Sequence, residues 1–206
     1  MTRFYKTPYL VKKAYPSLHW NTNVGDTVHL TFDDGPDLTV TPWVLDQLDR
    51  VGAKATFFCI GKKVIEHRDL IRGMMETGHR IANHTHDHLK GTQTSASAYV
   101  ANVAKCAKEL ERLGSQNKLF RPPYGKIKRS QIQRLKGMKV VMWSHLSYDF
   151  DQKVNVKKSI AALKRAKGGS IVVFHDSQKA FSNLKLILPE VLAHYDQNGL
   201  KMKTLS

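Results

Sequence analysis

Seven short apolar runs, rich in β-branched and aromatic residues, alternate along the chain with longer segments of helical period. The runs cover 28–32, 55–59, 79–83, 118–120, 139–143, 170–175 and 201–204. Between them lie TPWVLDQLDRVG, KVIEHRDLIRGMMETG, SASAYVANVAKCAKELERLG, SQIQRLKG, NVKKSIAALKRAKGG and NLKLILPEVLAHYDQNG. Each of these segments closes in glycine, a helix-stop signal. Thr41-Pro42 reads as an N-cap followed by proline at the first helical position. Strands alternating with helices predict an α/β fold around a parallel sheet. A barrel and an open doubly wound sheet both satisfy that pattern, and both gather ligands at the carboxyl ends of their strands. Periodicity alone does not separate the two.

A chain of 206 residues, 41% of them apolar, suits one domain with a sizeable core. No stretch approaches the roughly 20 apolar residues of a membrane span. The opening 27 residues are basic and partly apolar, and their longest apolar run is Tyr9-Leu10-Val11. That is no signal-peptide core, so the chain is expected to stay in the cytoplasm, where it is made. Cys59 and Cys106 lack metal-finger spacing and read as two buried thiols. The formal charge of +16 raises the possibility of nucleic-acid binding. The basic residues are scattered, however, and no recognition signature accompanies them, so a solvated basic surface with no specific nucleic-acid partner is expected.

The chemistry-bearing residues follow the runs. Asp33-Asp34-Gly35-Pro36 succeeds the first, HTHDH (84–88) the third, RPPY (121–124) the fourth and SHLSYDFD (144–151) the fifth, while VVFHD ends the sixth on His175 and Asp176. His84 and His88 stand four apart, a spacing that puts two imidazoles on one face of a helical turn. In that reading His86 points away. In a chain with ten histidines the pair alone favours two surface side chains. An Asp-Gly-Pro turn explains one aspartate, not two side by side. Two histidines and a carboxylate make a three-ligand set with a position left for water, the composition of catalytic zinc sites. The second aspartate is then free to take a proton. Arg121 is either a solvated loop residue or a buried cation that needs a carboxylate.

In order and context these motifs closely resemble the NodB-like polysaccharide deacetylases, carbohydrate esterase family 4. The family's signatures stand here as TFDDG (31–35), HTHDH (84–88), RPPY (121–124), YDF (148–150) and VFH (173–175). The resemblance covers residues 28–206 and leaves 1–27 as an N-terminal extension packed on a single domain. It implies a distorted (β/α)7-like barrel. It implies Asp33 as general base, Asp34, His84 and His88 as metal ligands, and Arg121 orienting Asp33. The Tyr124 backbone N–H would help hold the oxyanion, and His175 would be a general acid tuned by Asp149. The implied cofactor is one divalent ion; zinc suits the ligands, and cobalt or nickel also accept them. The implied reaction is removal of acetyl groups from N-acetylated sugar polymers such as chitin or peptidoglycan. An O-acetyl esterase and a glycan-binding pseudoenzyme are the alternatives. Two motifs depart from the pattern: in the fourth, often D-x-x-D-W, Leu146 stands in place of the first Asp and Phe150 replaces Trp, and in the fifth Val173 replaces the usual Leu. Both bear on the wall of the acetyl pocket and hence on the substrate.

Overall fold

The computed structural model describes residues 3–206. The chain forms, in order, α1 (Tyr9–Ala14), β1 (Thr27–Asp33), α2 (Val40–Asp49), β2 (Thr56–Cys59), α3 (Gly61–Glu66), α4 (Arg68–Glu76), β3 (Arg80–Asn83) and α5 (Ala96–Arg112). Then come β4 (Leu119–Phe120), α6 (Arg129–Arg134), β5 (Lys139–Val140), β6 (His145–Leu146), α7 (Val156–Leu163), β7 (Ile171–His175), α8 (Gln178–Gln197) and β8 (Lys201–Met202). The strands pair in the order β5-β4-β3-β2-β1-β7-β6, with β8 added to β1, and every one of these pairings is parallel. Seven strands thus curl into a half-barrel wrapped by helices. The two end strands are met by N-terminal backbone: His19 bridges Val141 beside β5, and Lys6 bridges His145 in β6.

The period-2 alternation of β1 sorts its side chains between two layers. Val28, Leu30 and Phe32 are buried with Val44 and Leu48 of α2 and Leu184 and Leu188 of α8. Phe32 lies in register with Phe57 and Phe174, and its ring stacks on theirs at 5.0 and 5.6 Å. Such a cross-strand aromatic row contributes about 0.5–1.5 kcal/mol per pair beyond its burial. Thr31 and Asp33 therefore point the other way, into the half-barrel.

Three local expectations are corrected. Helix α2 begins at Val40, with Thr39 at the cap position, and the Asp37 carboxylate accepts from the N–H groups of Thr39 and Val40. Thr41 is instead buried in the first turn, its hydroxyl donating to Asp176. The single helical segment at 63–78 is two helices, broken at His67 (φ −128°, ψ 45°). The run 139–143 is only a two-residue strand. The chain then crosses to the far edge of the sheet, where His145 and Leu146 pair with Val172 and Val173 as β6. The seven strands read from sequence therefore included β8 and omitted β6. Both thiols are free and buried, as expected.

Candidate active site

The carboxyl ends of β1, β3, β4, β6 and β7 converge on a cleft of about 330 Å³. Asp33 is the last residue of β1, and the alternation of the strand aims it inward. There it meets Arg121, which is fully buried. The guanidinium donates to Asp33 Oδ1 and to Thr31 Oγ1, both at 2.7 Å, and to the carbonyls of Val141 and Met142. It lies 4.1 Å over the Phe58 ring. A buried cation left unpaired costs several kcal/mol, and here every edge of the guanidinium is used. Arg121 is thus the buried, partnered cation and not the solvated loop residue.

Asp34 sits one residue beyond the strand, at φ 77°. That left-handed turn rotates its carboxylate away from Asp33 and toward two imidazoles. His88 Nε2 is 3.0 Å and His84 Nε2 3.5 Å from Asp34 Oδ1. The histidines do not lie on a helical turn. Residues 84–88 are irregular loop, and Thr85 (φ 65°) and His88 (φ 55°) both adopt the left-handed conformation. The i, i+4 spacing brought the rings together by a different backbone route. His86 turns away and packs over Gly61, where a Cβ would fall 2.6 Å from its Nδ1. It lies outside the Asp34–His84–His88 cluster.

This cluster fits a metal ion. His84 Nδ1 lies 2.8 Å from the Arg121 carbonyl. A carbonyl only accepts, so Nδ1 carries the proton, and in the neutral imidazole Nε2 presents a lone pair to Asp34 Oδ1. Two lone pairs facing each other require a proton or a cation between them. A carbonyl behind the distal ring nitrogen is the usual support of a ligating histidine. Donor atoms at about 2.0–2.2 Å from a tetrahedral ion stand about 3.4 Å apart, matching these spacings. Burial alone would raise the pKa of Asp34, but the two imidazoles outweigh it and hold the carboxyl well below its usual value.

On the opposite wall His175 ends β7. Its Nδ1–H donates to Asp149 Oδ1 at 2.7 Å, and its backbone N–H to Asp149 Oδ2 at 2.8 Å. Burial favours the neutral ring, but the Asp149 carboxylate overrides it, with smaller help from Asp34 and Asp33, and the imidazole pKa rises to about 9. Tyr148, at φ 57°, turns the chain so that Asp149 can reach. Tyr124 is also left-handed, at φ 61°, in the turn Pro123–Gly125, and its ring lies 4.7 Å from that of His88. The turn's two hydrogen bonds come from the N–H groups of Gly125 and Lys126, not from Tyr124. Phe150 stands edge-on to His175 at 4.8 Å.

Val173 stands in the cleft wall, and the structure also gathers residues to which sequence reading assigned no role. Trp143, Leu146 and Lys179 complete that wall. Gly125 (φ 62°) admits the Trp143 indole, which a Cβ there would meet at 2.5 Å. Lys63 donates to the Asp34 carbonyl at 2.7 Å. Asp176, fully buried, lies against Gly35, and burial raises its pKa to about 8. Its place directly after His175 was the available signal; the rest follow from tertiary approach.

A family model for polysaccharide deacetylases matches residues 21–143. The chain belongs to the polysaccharide deacetylase family. It is 34% identical over 183 residues to a peptidoglycan-N-acetylglucosamine deacetylase of Bacillus cereus, covering 87% of this chain and 86% of that protein. It is 35% identical over 156 residues to a peptidoglycan-N-acetylglucosamine deacetylase of Listeria monocytogenes, covering 74% of this chain but only 33% of that protein. A crystal structure of a peptidoglycan N-acetylglucosamine deacetylase bound to 4-naphthalen-1-yl-N-oxidanyl-benzamide superposes with a TM-score of 0.83 at 28% identity, covering 97% of this chain and 95% of that one. The half-barrel of this deacetylase is therefore the (β/α)7 arrangement that its motifs implied.

Proposed function

We propose that this deacetylase is a metal-dependent hydrolase that removes N-acetyl groups from N-acetylglucosamine polymers, releasing acetate and a free amine. One observation carries the reading: a three-ligand cluster is flanked on one side by an oriented carboxylate and on the other by a histidine held protonated. Asp34, His84 and His88 would hold the ion. A bound divalent ion supplies Lewis acidity toward the acyl oxygen and toward water. Arg121 fixes Asp33 Oδ1, leaving Oδ2 to take the proton of the attacking water. Water oxygen bonds to the acyl carbon, and the Tyr124 N–H donates to the oxyanion that forms. The carbon–nitrogen bond then breaks as His175 Nε2–H protonates the departing nitrogen. Phe150, Trp143 and Leu146 shape the acetyl pocket. The names of the related deacetylases agree with this substrate class.

The test is a product assay on metal-loaded enzyme with N-acetylglucosamine oligomers and acetylated xylan. Equal amounts of acetate and amine from the oligomer are expected. Acetate from xylan alone would make the protein an O-acetyl esterase. Binding without acetate release would make it a glycan-binding protein.

The acid half of the reading has its own test. Asp149→Asn keeps the shape of the side chain and removes the charge that raises the His175 pKa to about 9. The imidazolium then loses its proton at lower pH, so the alkaline limb of kcat/KM is expected to move down. Asp33 and Asp34 still contribute, and an ion bound at Asp34 cancels part of that contribution, so metal content is matched between variants. A limb that stays at the wild-type pH would remove Asp149 as the group that tunes His175.

A further inference from the structure

Resting on the deacetylase reading, we infer that Lys179 makes this site selective for N-acetylated glycans that carry carboxylates beside the reacting sugar. Lys179 lies in the first turn of α8 and lines the catalytic cleft. Its backbone is anchored, since its carbonyl accepts from Gln152 Nε2 at 2.6 Å, while its side chain is free to reach. The ammonium stands 5.8 Å from the centroid of Phe150, a ring that also meets the His175 imidazole at 4.8 Å. The cation and the proposed acid therefore share one aromatic neighbour. At that remove it addresses a substituent on the reacting sugar or its neighbour, not the acetyl carbonyl.

Its charge has no carboxylate partner: among the described residues Asp33 pairs with Arg121 and His175 with Asp149, Asp34 faces His84 and His88 in the cluster that fits the ion, and Lys179 enters no salt bridge. The nearby Asp37 carboxylate is occupied by two backbone N–H groups and by Gln178. Lys179 is exposed at the rim of the cleft with Phe150 on one side of its ammonium, so its attraction for an anion is open to screening by salt. The formal charge of +16 adds attraction of the same sign at longer range. A neutral chitin chain offers this cation only uncharged acceptors, hydroxyls and acetamide carbonyls. A peptidoglycan strand offers lactyl or peptide carboxylates, which form charge-assisted hydrogen bonds about twice as strong as neutral ones.

The experiment compares acetate release from three substrates of equal length: a peptidoglycan glycan fragment with free carboxylates, the same fragment with those carboxylates converted to amides, and a chitin oligomer. Metal-loaded wild type, Lys179→Gln and Lys179→Arg are assayed at low and high salt. At low salt the wild type is expected to favour the free-acid fragment over its amide by about fivefold in kcat/KM, the upper range for a partly exposed ion pair. High salt should shrink that ratio. Lys179→Gln should bring it close to one, and Lys179→Arg should retain it. A ratio unchanged in Lys179→Gln, or an equal loss on all three substrates, overturns the inference while leaving the deacetylase reading intact. No acetate from any substrate overturns both.

Discussion

Asp33→Asn is expected to keep its metal and to lose about 10²–10⁴ in kcat, the usual contribution of a positioned general base. The amide oxygen can still accept from Arg121, so the side chain keeps its orientation. What it cannot do is take a proton. The loss should therefore appear in kcat at near-constant KM, the signature of an interaction used only in the transition state. The substitution also leaves the fully buried Arg121 without its carboxylate. Breaking such a pair outright costs about 3–5 kcal/mol, so thermal melting must show that the variant is folded at the assay temperature. A folded, metal-loaded Asp33→Asn enzyme with near-normal kcat would exclude Asp33 as the base.

His84→Ala is expected to lose both the ion and the activity. His84 is buried to 2% exposure, and its ring is held by the Arg121 carbonyl, so solvent cannot substitute for it with the same geometry. His88→Ala should also deplete the metal. His86→Ala should retain it, because that ring packs over Gly61 rather than facing Asp34, and the contact with Asn102 is made by the backbone N–H. Elemental analysis of the purified variants reads this directly, independent of turnover. Full occupancy in both His84→Ala and His88→Ala would reject the ligand set. Depletion in a folded His86→Ala would show that a different pair of histidines holds the ion.

Chemistry-bearing residues could be found from sequence because parallel α/β topology leaves few places to put them. Once a run of apolar residues is recognised as a strand, whatever follows it is at the carboxyl edge. Asp33, His84, Arg121 and His175 were located in that way. The period of β1 even sets the side of the sheet that Asp33 faces, because Phe32 must join the outer core. Strand β6 was invisible for the converse reason. A two-residue strand has no period, and His145 and Leu146 belong to the sheet only because β7 lies beside them. The helical-turn argument for His84 and His88 predicted proximity through a conformation the loop does not adopt.

The sequence by itself determined the α/β class, the parallel sheet and the identity of the residues that follow its strands, since those depend on hydrophobic period and on local start and stop signals. Tertiary structure decided how the residues meet. Asp34, Thr85, His88, Tyr124 and Tyr148 all hold positive φ without being glycine. Each such residue carries a local conformational cost of about 1–3 kcal/mol, which only surrounding contacts can sustain. Lys63 on the Asp34 carbonyl and Asn83 on the Thr85 N–H are two of those contacts. Tertiary structure likewise placed Trp143 against Gly125 and Lys179 beside Phe150, because helices and loops far apart in the chain share one sheet edge. Local propensity carries no record of such approaches: their free energy resides in contacts that exist only once the half-barrel has closed around the cleft.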